Sequence, residues 1–233
     1  FPFCTIDPNV GIVSVPTSVG GTDVAVITFT LSADSIDFQD SDVAATGGTL
    51  SALAGSGSSY TAIFTPTGGS TAAGAVTVDS GQFTDADGNE NLAASSLPIT
   101  VDTEAPTVTI SSDLSTLVIG ETANITFALS EDSTTFTAAD VLVTGGVLSN
   151  FTGAGKNYTA TFTPTADTDA TATININTGA FTDELGNENT AAAPVTITVD
   201  TTAPTVTVTS DKNSVGGNTG SAVDEATITF TLS

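Results

Sequence analysis

The sequence predicts an all-β fold, a linear string of tandem antiparallel β-sandwich domains. Three observations predict it. The first is an internal repeat. Thr28-Phe-Thr-Leu-Ser32 returns as Thr126-Phe-Ala-Leu-Ser130, Tyr60-Thr-Ala62 as Tyr158-Thr-Ala160, Phe83-Thr-Asp85 as Phe181-Thr-Asp183, and Val101-Asp-Thr103 as Val199-Asp-Thr201, always 98 residues apart. That period is the size of one small β domain, too long for a solenoid repeat. The second observation is period-two alternation in short runs separated by Gly, Pro, Asn and Asp clusters. The third is composition: Thr, Ser, Ala, Val and Gly form the bulk, and Phe is the main aromatic. β-branched residues with frequent glycine favour strands and turns.

The strands can be taken in order in the second copy. Thr107–Ser111 alternates and opens it. Ala123–Ser130 follows, with Ile125, Phe127 and Leu129 on one face. Then come Val141–Val143, Val147–Phe151, Tyr158–Thr163, Thr171–Asn177 and Val195–Val199. Seven short strands of this kind indicate a sandwich of immunoglobulin type, without the Cys…Trp…Cys signature of antibody domains. The repeat divides the chain into the last strand of a preceding copy (1–4), repeat 1 (5–102), repeat 2 (103–200) and the first two strands of a third copy (201–233). Phe127 and Phe230 are 103 residues apart, so the third copy carries five extra residues near Gly216–Val223. Folded copies joined by the short Val-Asp-Thr-x-Ala-Pro linker imply a segment of a longer string.

Charge narrows the function. The chain has 26 acidic residues, two lysines, no arginine and no histidine, for a formal net charge of -24. Two cations cannot neutralise a phosphate backbone, so nucleic acid is excluded as a partner. There is no basic patch for an anionic membrane and no apolar run near the roughly 20 residues that span a bilayer, so direct membrane insertion is excluded as well. The absence of histidine removes Ser–His–Asp and Cys–His catalysis and histidine-based zinc sites. Hydrophobic residues at 39% and a mean hydropathy of +0.25 separate the chain from disordered acidic sequences. Cys4 is the single cysteine, which precludes an internal disulfide; it reads as a small residue near a strand end or as a free or intermolecularly bonded thiol.

The carboxylates gather in loops. In an immunoglobulin topology the start of the first strand and the B–C, D–E and F–G loops share one pole. Asp102 before the first strand, Glu131 and Asp132 in the B–C loop, and Asp183, Glu184, Asn187, Glu188 and Asn189 in the F–G loop therefore converge against the linker, with no lysine expected among them. Two unit charges about 4 Å apart interact by about 4 kcal/mol at an effective dielectric near 20, so such a cluster is repulsive unless a cation fills it. Hard oxygen ligands in flexible loops suit Ca²⁺. In repeat 1 the same loop reads Asp85-Ala-Asp87-Gly-Asn89-Glu-Asn91, like the opening of an EF-hand loop, although Ser96 stands at position 12 and the flanks are strands. The alternative is an Asx-rich turn that caps its own backbone. The copies are not equivalent: Cys4 occupies the position of Asp102 and Asp200, and Asp34 takes the place of Glu131 one residue later, Ala33 being its true counterpart. The predicted calcium ligands are Asp102, Glu131, Asp183, Asn187 and Asn189, with Asp34, Asp85, Asp87 and Asn89 in repeat 1 and Asp200 at the next junction.

Four stretches carry a family resemblance: Asp102-Thr-Glu-Ala-Pro-Thr-Val, Ile125-Thr-Phe-Ala-Leu-Ser-Glu, Thr137-Ala-Ala-Asp-Val and Phe181-Thr-Asp-Glu-Leu-Gly-Asn-Glu-Asn. They resemble the bacterial Ig-like repeats of giant secreted surface adhesins, of the biofilm-associated and repeats-in-toxin type. The resemblance implies an extender segment of a stalk, stiffened by calcium at its junctions and exported by a type I route to the cell surface. Its partners would be neighbouring repeats of the same chain, with cell-surface or matrix contacts made through other domains. Two other readings stand beside it. One is a glycan- or cell-binding module, for which Tyr60, Tyr158, Phe38 and Phe136 are the few candidate exposed aromatics, although both tyrosines sit in alternating strands and read as core. The other is an Ig-like module of a phage fibre or a large secreted enzyme. An enzymatic role for Asp85 and Asp87 themselves is not expected, because they lie in a loop without an aromatic cleft.

Overall fold

A computed structural model describes residues 6–216 and 225–233, so the expectations for Cys4, for the strand at Phe1–Phe3 and for most of the insertion near Gly216–Val223 lie outside the described residues. Repeat 1 is built from β1 (Val10–Val15), β2 (Ser18–Gly20), β3 (Ala25–Ser35), β4 (Ala44–Thr46), β5 (Gly48–Leu50), β6 (Ala54–Pro66), β7 (Gly74–Thr77) and β8 (Leu97–Asp102). Repeat 2 follows with β9 (Val108–Ser112), β10 (Thr116–Val118), β11 (Ala123–Ser133), β12 (Val141–Thr144), β13 (Gly146–Pro164), β14 (Asp169–Ile176) and β15 (Val195–Asp200). One sheet of repeat 1 runs β1-β3-β6-β5 and the other β2-β8-β7-β4; repeat 2 has β9-β11-β13 and β10-β15-β14-β12. The fold is all-β, a pair of tandem Ig-like sandwiches.

Alternation decides which side chains go inside. Ile125, Phe127 and Leu129 are all buried, as their shared face requires, and Ile27, Phe29 and Leu31 match them in repeat 1. Each sandwich has its own hydrophobic core, one centred on Ile27, Phe29, Phe64 and Ile99, the other on Ile125, Phe127, Phe162 and Ile197. Tyr60 and Tyr158 are core residues, and each hydroxyl donates to the backbone carbonyl of the serine ending the second long strand, Ser35 or Ser133. Phe38 and Phe136 are buried beside them, so the four aromatics considered for an exposed platform all lie inside.

Three features depart from the strands expected. The first strand is split: β1 stays with β3, but β2 crosses to the other sheet and pairs parallel with β8, as β10 does with β15. The sandwiches are thus antiparallel except for this pair. At the crossing Ser14 and Ser112 each donate a hydroxyl hydrogen bond to the carbonyl two residues on, and Ser210 repeats the contact in the third copy. Second, Val147–Phe151 and Tyr158–Thr163 belong to one run, β13, which folds back on itself: Ser149 Oγ reaches the Thr161 carbonyl as β5 reaches β6. Third, β11 runs on past its regular pairing and shifts register between Ala128 and Ser133, so Glu131 and Asp132 end a strand instead of occupying a loop.

The copies also differ on their outer faces. Val15, Val26 and Ile63 line up across β1, β3 and β6 and are exposed. Repeat 2 carries Asp113, Asn124 and Thr161 at those positions. In the third copy β16 (Val206–Ser210) pairs with β17 (Ile228–Leu232), and both strands are exposed throughout.

Candidate functional site

The two repeats meet at a linker anchored from both sides. Thr103 N–H donates to the Ser70 carbonyl at 2.9 Å, and its hydroxyl donates to the Thr67 carbonyl at 2.7 Å, tying the linker to repeat 1. On the far side Thr190 N–H donates to the Pro106 carbonyl at 3.0 Å, and Thr107 N–H to Ser130 Oγ at 2.9 Å. Glu104 and Ala105 lie between the two anchored ends.

The F–G loop of repeat 2 is an Asx-rich turn. Asp183 Oδ1 accepts the N–H groups of Leu185 and Asn187 at 2.9 Å, and its Oδ2 accepts Asn187 Nδ2 at 2.6 Å. Gly186 has a φ of +85°, which turns the chain back at a position that favours glycine. Repeat 1 builds the same turn from Asp85, Asp87 and Asn89, with Gly88 again at +85°. The side chain and N–H of Asn89, with further N–H groups at Asp87 and Gly88, hold the Asp85 carboxyl below the usual carboxylate range.

Against this turn three carboxylates converge. Asp102 from the end of β8, Glu131 from the end of β11 and Asp183 from the F–G loop each offer an oxygen within 4.8 Å of the other two. Asp183 is buried, and Asp102 and Glu131 are half-buried. Burial, and then repulsion from Asp102, Asp183 and Glu104 with a hydrogen bond to Asp102, pushes the Glu131 carboxyl up from 4.5 to about 7. The group lines an open depression of about 410 Å³, together with Asp132 and Glu184. Lys156 lines it too, which corrects the expectation that no lysine stands nearby; its Nζ donates to the Ser130 carbonyl at 2.9 Å. Its position in the D–E turn, one of the loops at this pole, was the signal for it.

The remaining expected ligands are placed elsewhere. Asn187 Oδ1 accepts the Gly21 N–H, and its Nδ2 donates to the Asp102 carbonyl at 2.9 Å as well as to Asp183. Asn189 is spent on its own loop: Oδ1 accepts the Ala180 and Phe181 N–H groups, while Nδ2 donates to the Asn177 and Thr190 carbonyls. Asp34 does not substitute for Glu131. It lies beside Gly57 as Asp132 lies beside Gly155, which makes it the counterpart of Asp132. With Ala33 in the place of Glu131, Asp85 and Asp87 belong to no group of three carboxylates among the described residues, and Asn89 turns its Nδ2 to the Asp85 carboxylate. Asp200 ends β15, faces Asp169 across the ladder to β14 and likewise joins no such group. Asp102, Glu131 and Asp183 form a hard, all-oxygen donor set drawn from two repeats, which fits part of the shell of a Ca²⁺ ion.

The chain matches the family described as bacterial Ig-like domain twice, over residues 4–101 and 102–199. No curated protein sequence matches it. Among solved structures it is similar to FdeC, an Escherichia coli adhesin, at 18% identity and a TM-score of 0.48, covering 82% of this chain and 63% of that one. It is similar to the Yersinia pseudotuberculosis adhesin InvE at 22% identity and a TM-score of 0.32, covering 82% and 58%. For Yersinia pseudotuberculosis InvD the values are 18%, 0.37, 91% and 65%. The chain thus spans less than two thirds of each of these three.

Proposed function

The chain belongs to the bacterial Ig-like domain family, and on that premise we propose that it is an extender segment of a bacterial surface adhesin whose 1–2 junction is stiffened by Ca²⁺. The observation that carries the reading is the convergence of Asp102, Glu131 and Asp183 from two repeats onto one point of a short, doubly anchored linker. An ion there would draw charge from both repeats and resist bending between them. Bound calcium supplies positive charge; Asp102 brings the carboxylate of the preceding repeat, and Glu131 and Asp183 bring those of the following one. Ionised together the three repel one another, so a divalent cation relieves a strain that a proton on Glu131 relieves in its absence. Extracellular calcium would keep such a site filled, in line with a cell-surface location. The reading is non-catalytic: Asp85, the first of the two carboxylates considered for acid–base work, is committed to its own turn and held below the usual range.

Thermal melting and small-angle scattering of the chain, with calcium and with EDTA, test this. Calcium at a hundredfold excess over Kd stabilises the repeat that binds it by about 2.7 kcal/mol, so the melting midpoint of repeat 2 rises. The scattering profile is more extended and better defined with calcium than with EDTA. Identical midpoints and identical profiles in the two conditions sink the cation proposal.

A further inference from the structure

We propose that the diglycine turn Gly20–Gly21 of repeat 1 and the Leu185–Asn187 segment of repeat 2 form a docking pair that holds the junction without any cation. The partner selected by this F–G loop is therefore a repeat whose turn after β2 is bare backbone. The inference concerns the same junction as the calcium reading but does not rest on it.

Asn187 is the centre of the contact. It is 4% exposed, and its single carboxamide reaches three places: the Gly21 N–H of the preceding repeat, the Asp102 carbonyl of the linker and the Asp183 carboxylate of its own loop. These bonds join both repeats and the linker through groups that carry no titrating charge of their own except Asp183. Close approach makes the same point. A Cβ at Gly20 would lie 2.5 Å from Leu185 Cβ and 2.6 Å from the Leu185 carbonyl oxygen, distances no packed side chain adopts. A Cβ at Gly21 would lie 3.4 Å from the Gly186 carbonyl oxygen, and its φ of +54° favours glycine.

Repeat 2 shows that Gly20 answers to the neighbour and not to the strand; Gly21 is required by its own turn as well, since its φ is +54°, whereas in repeat 2 the positive φ falls on Gly120. Val118 and Ile119 stand at the positions of Gly20 and Gly21. Val118 pairs with Asp200 in the register in which Gly20 pairs with Asp102, yet it carries a side chain that is 51% exposed. The ladder therefore admits a β-branched residue, and the near contact of a Gly20 Cβ with the Asp102 carbonyl, at 2.7 Å, is one the ladder can relax. What cannot relax is Leu185 pressed against the turn. The turn of repeat 2 presents two branched aliphatic side chains where repeat 1 presents flat backbone, so the same clasp does not form on it. Successive junctions are of two kinds, and the turn after the second strand decides which.

Amide hydrogen exchange on the full chain reads the clasp at one atom, the Gly21 N–H. In EDTA this amide is expected to be protected by about tenfold or more, and adding calcium is expected to leave it nearly unchanged. Gly20→Val, with Gly20→Ala as the smaller variant, removes that protection. The amides of Leu185 and Asn187, which donate to Asp183 inside repeat 2, keep theirs and report that the loop still folds. An unprotected Gly21 amide in EDTA overturns the proposal, as does protection that survives both substitutions. Protection seen only with calcium overturns it while leaving the cation reading intact; protection in EDTA with no calcium effect on melting does the reverse.

Discussion

Glu131 is the residue whose ionisation matters most. Its carboxyl titrates near 7 in the folded chain against an ordinary 4.5, so between these values the folded state binds more protons than the unfolded one. Stability without calcium therefore falls as pH rises through that window. Glu131→Gln should flatten the slope, raise the melting midpoint in EDTA above neutral pH and weaken the stabilisation by calcium; melts in both conditions across the window check all three. Asp37 and Asp85 behave in the opposite sense. Thr84 N–H, with Ser35 and Thr84 hydroxyls, holds the Asp37 carboxyl low, and the Asn89 side chain does the same for Asp85. The stability they contribute is present above the ordinary value of 3.8 and is lost as pH falls through their lower folded values. Asn189 looks like a ligand in the sequence because it is an oxygen-bearing residue in an acidic loop. Its four hydrogen bonds make it a loop strut, and Asn189→Ala should cost repeat 2 about 2–3 kcal/mol in urea unfolding without changing calcium affinity.

Elements are where the two copies diverge in packing. Phe136 makes ring contacts with Phe127, Phe151, Tyr158 and Phe181 at centroid distances of 5.0–5.6 Å, while Phe38 touches Phe29, Tyr60 and Phe83 at 4.9–5.7 Å. The additional ring in repeat 2 is Phe151, whose counterpart in repeat 1 is Leu53. A depression of about 330 Å³ opens there, lined by Val43, Leu50 and Leu53 among others. Leu53→Phe should fill part of it and stabilise repeat 1 by about 1 kcal/mol, whereas Phe136→Ala should cost repeat 2 about 3–5 kcal/mol; denaturant titrations separate the two effects. The strands themselves are legible from alternation, because a sheet with one buried face imposes period two on any sequence. The split first strand is not: the inward phase shifts from Val10, Ile12 and Ser14 to Val19 across Pro16-Thr17, and such a break does not by itself say that β2 changes sheets.

At the scale of the molecule, two separate cores predict two separable transitions. Phe127→Ala should move the unfolding of repeat 2 by about 3–5 kcal/mol and leave repeat 1 where it is, as followed by amide exchange in each core. The sequence by itself determined the all-β class, the tandem Ig-like architecture and the inward face of Ile125, Phe127 and Leu129, since these follow from a 98-residue repeat and from local periodicity, whereas the burial of Phe38 and Phe136 did not follow from it. It also pointed to Asp102, Glu131 and Asp183, because the topology it implied sends those segments to one pole. Only the tertiary structure decided which oxygens remain free there. Asn187 is consumed by backbone groups 85 and 166 residues away, Asn189 by backbone groups of its own loop, Lys156 enters from a turn with no acidic motif, and Gly20 meets a loop of the next repeat. Contacts such as Asn187 with Gly21 and Gly20 with Leu185 leave no period in the sequence, because they are set by how two folded bodies meet and not by how either one alternates.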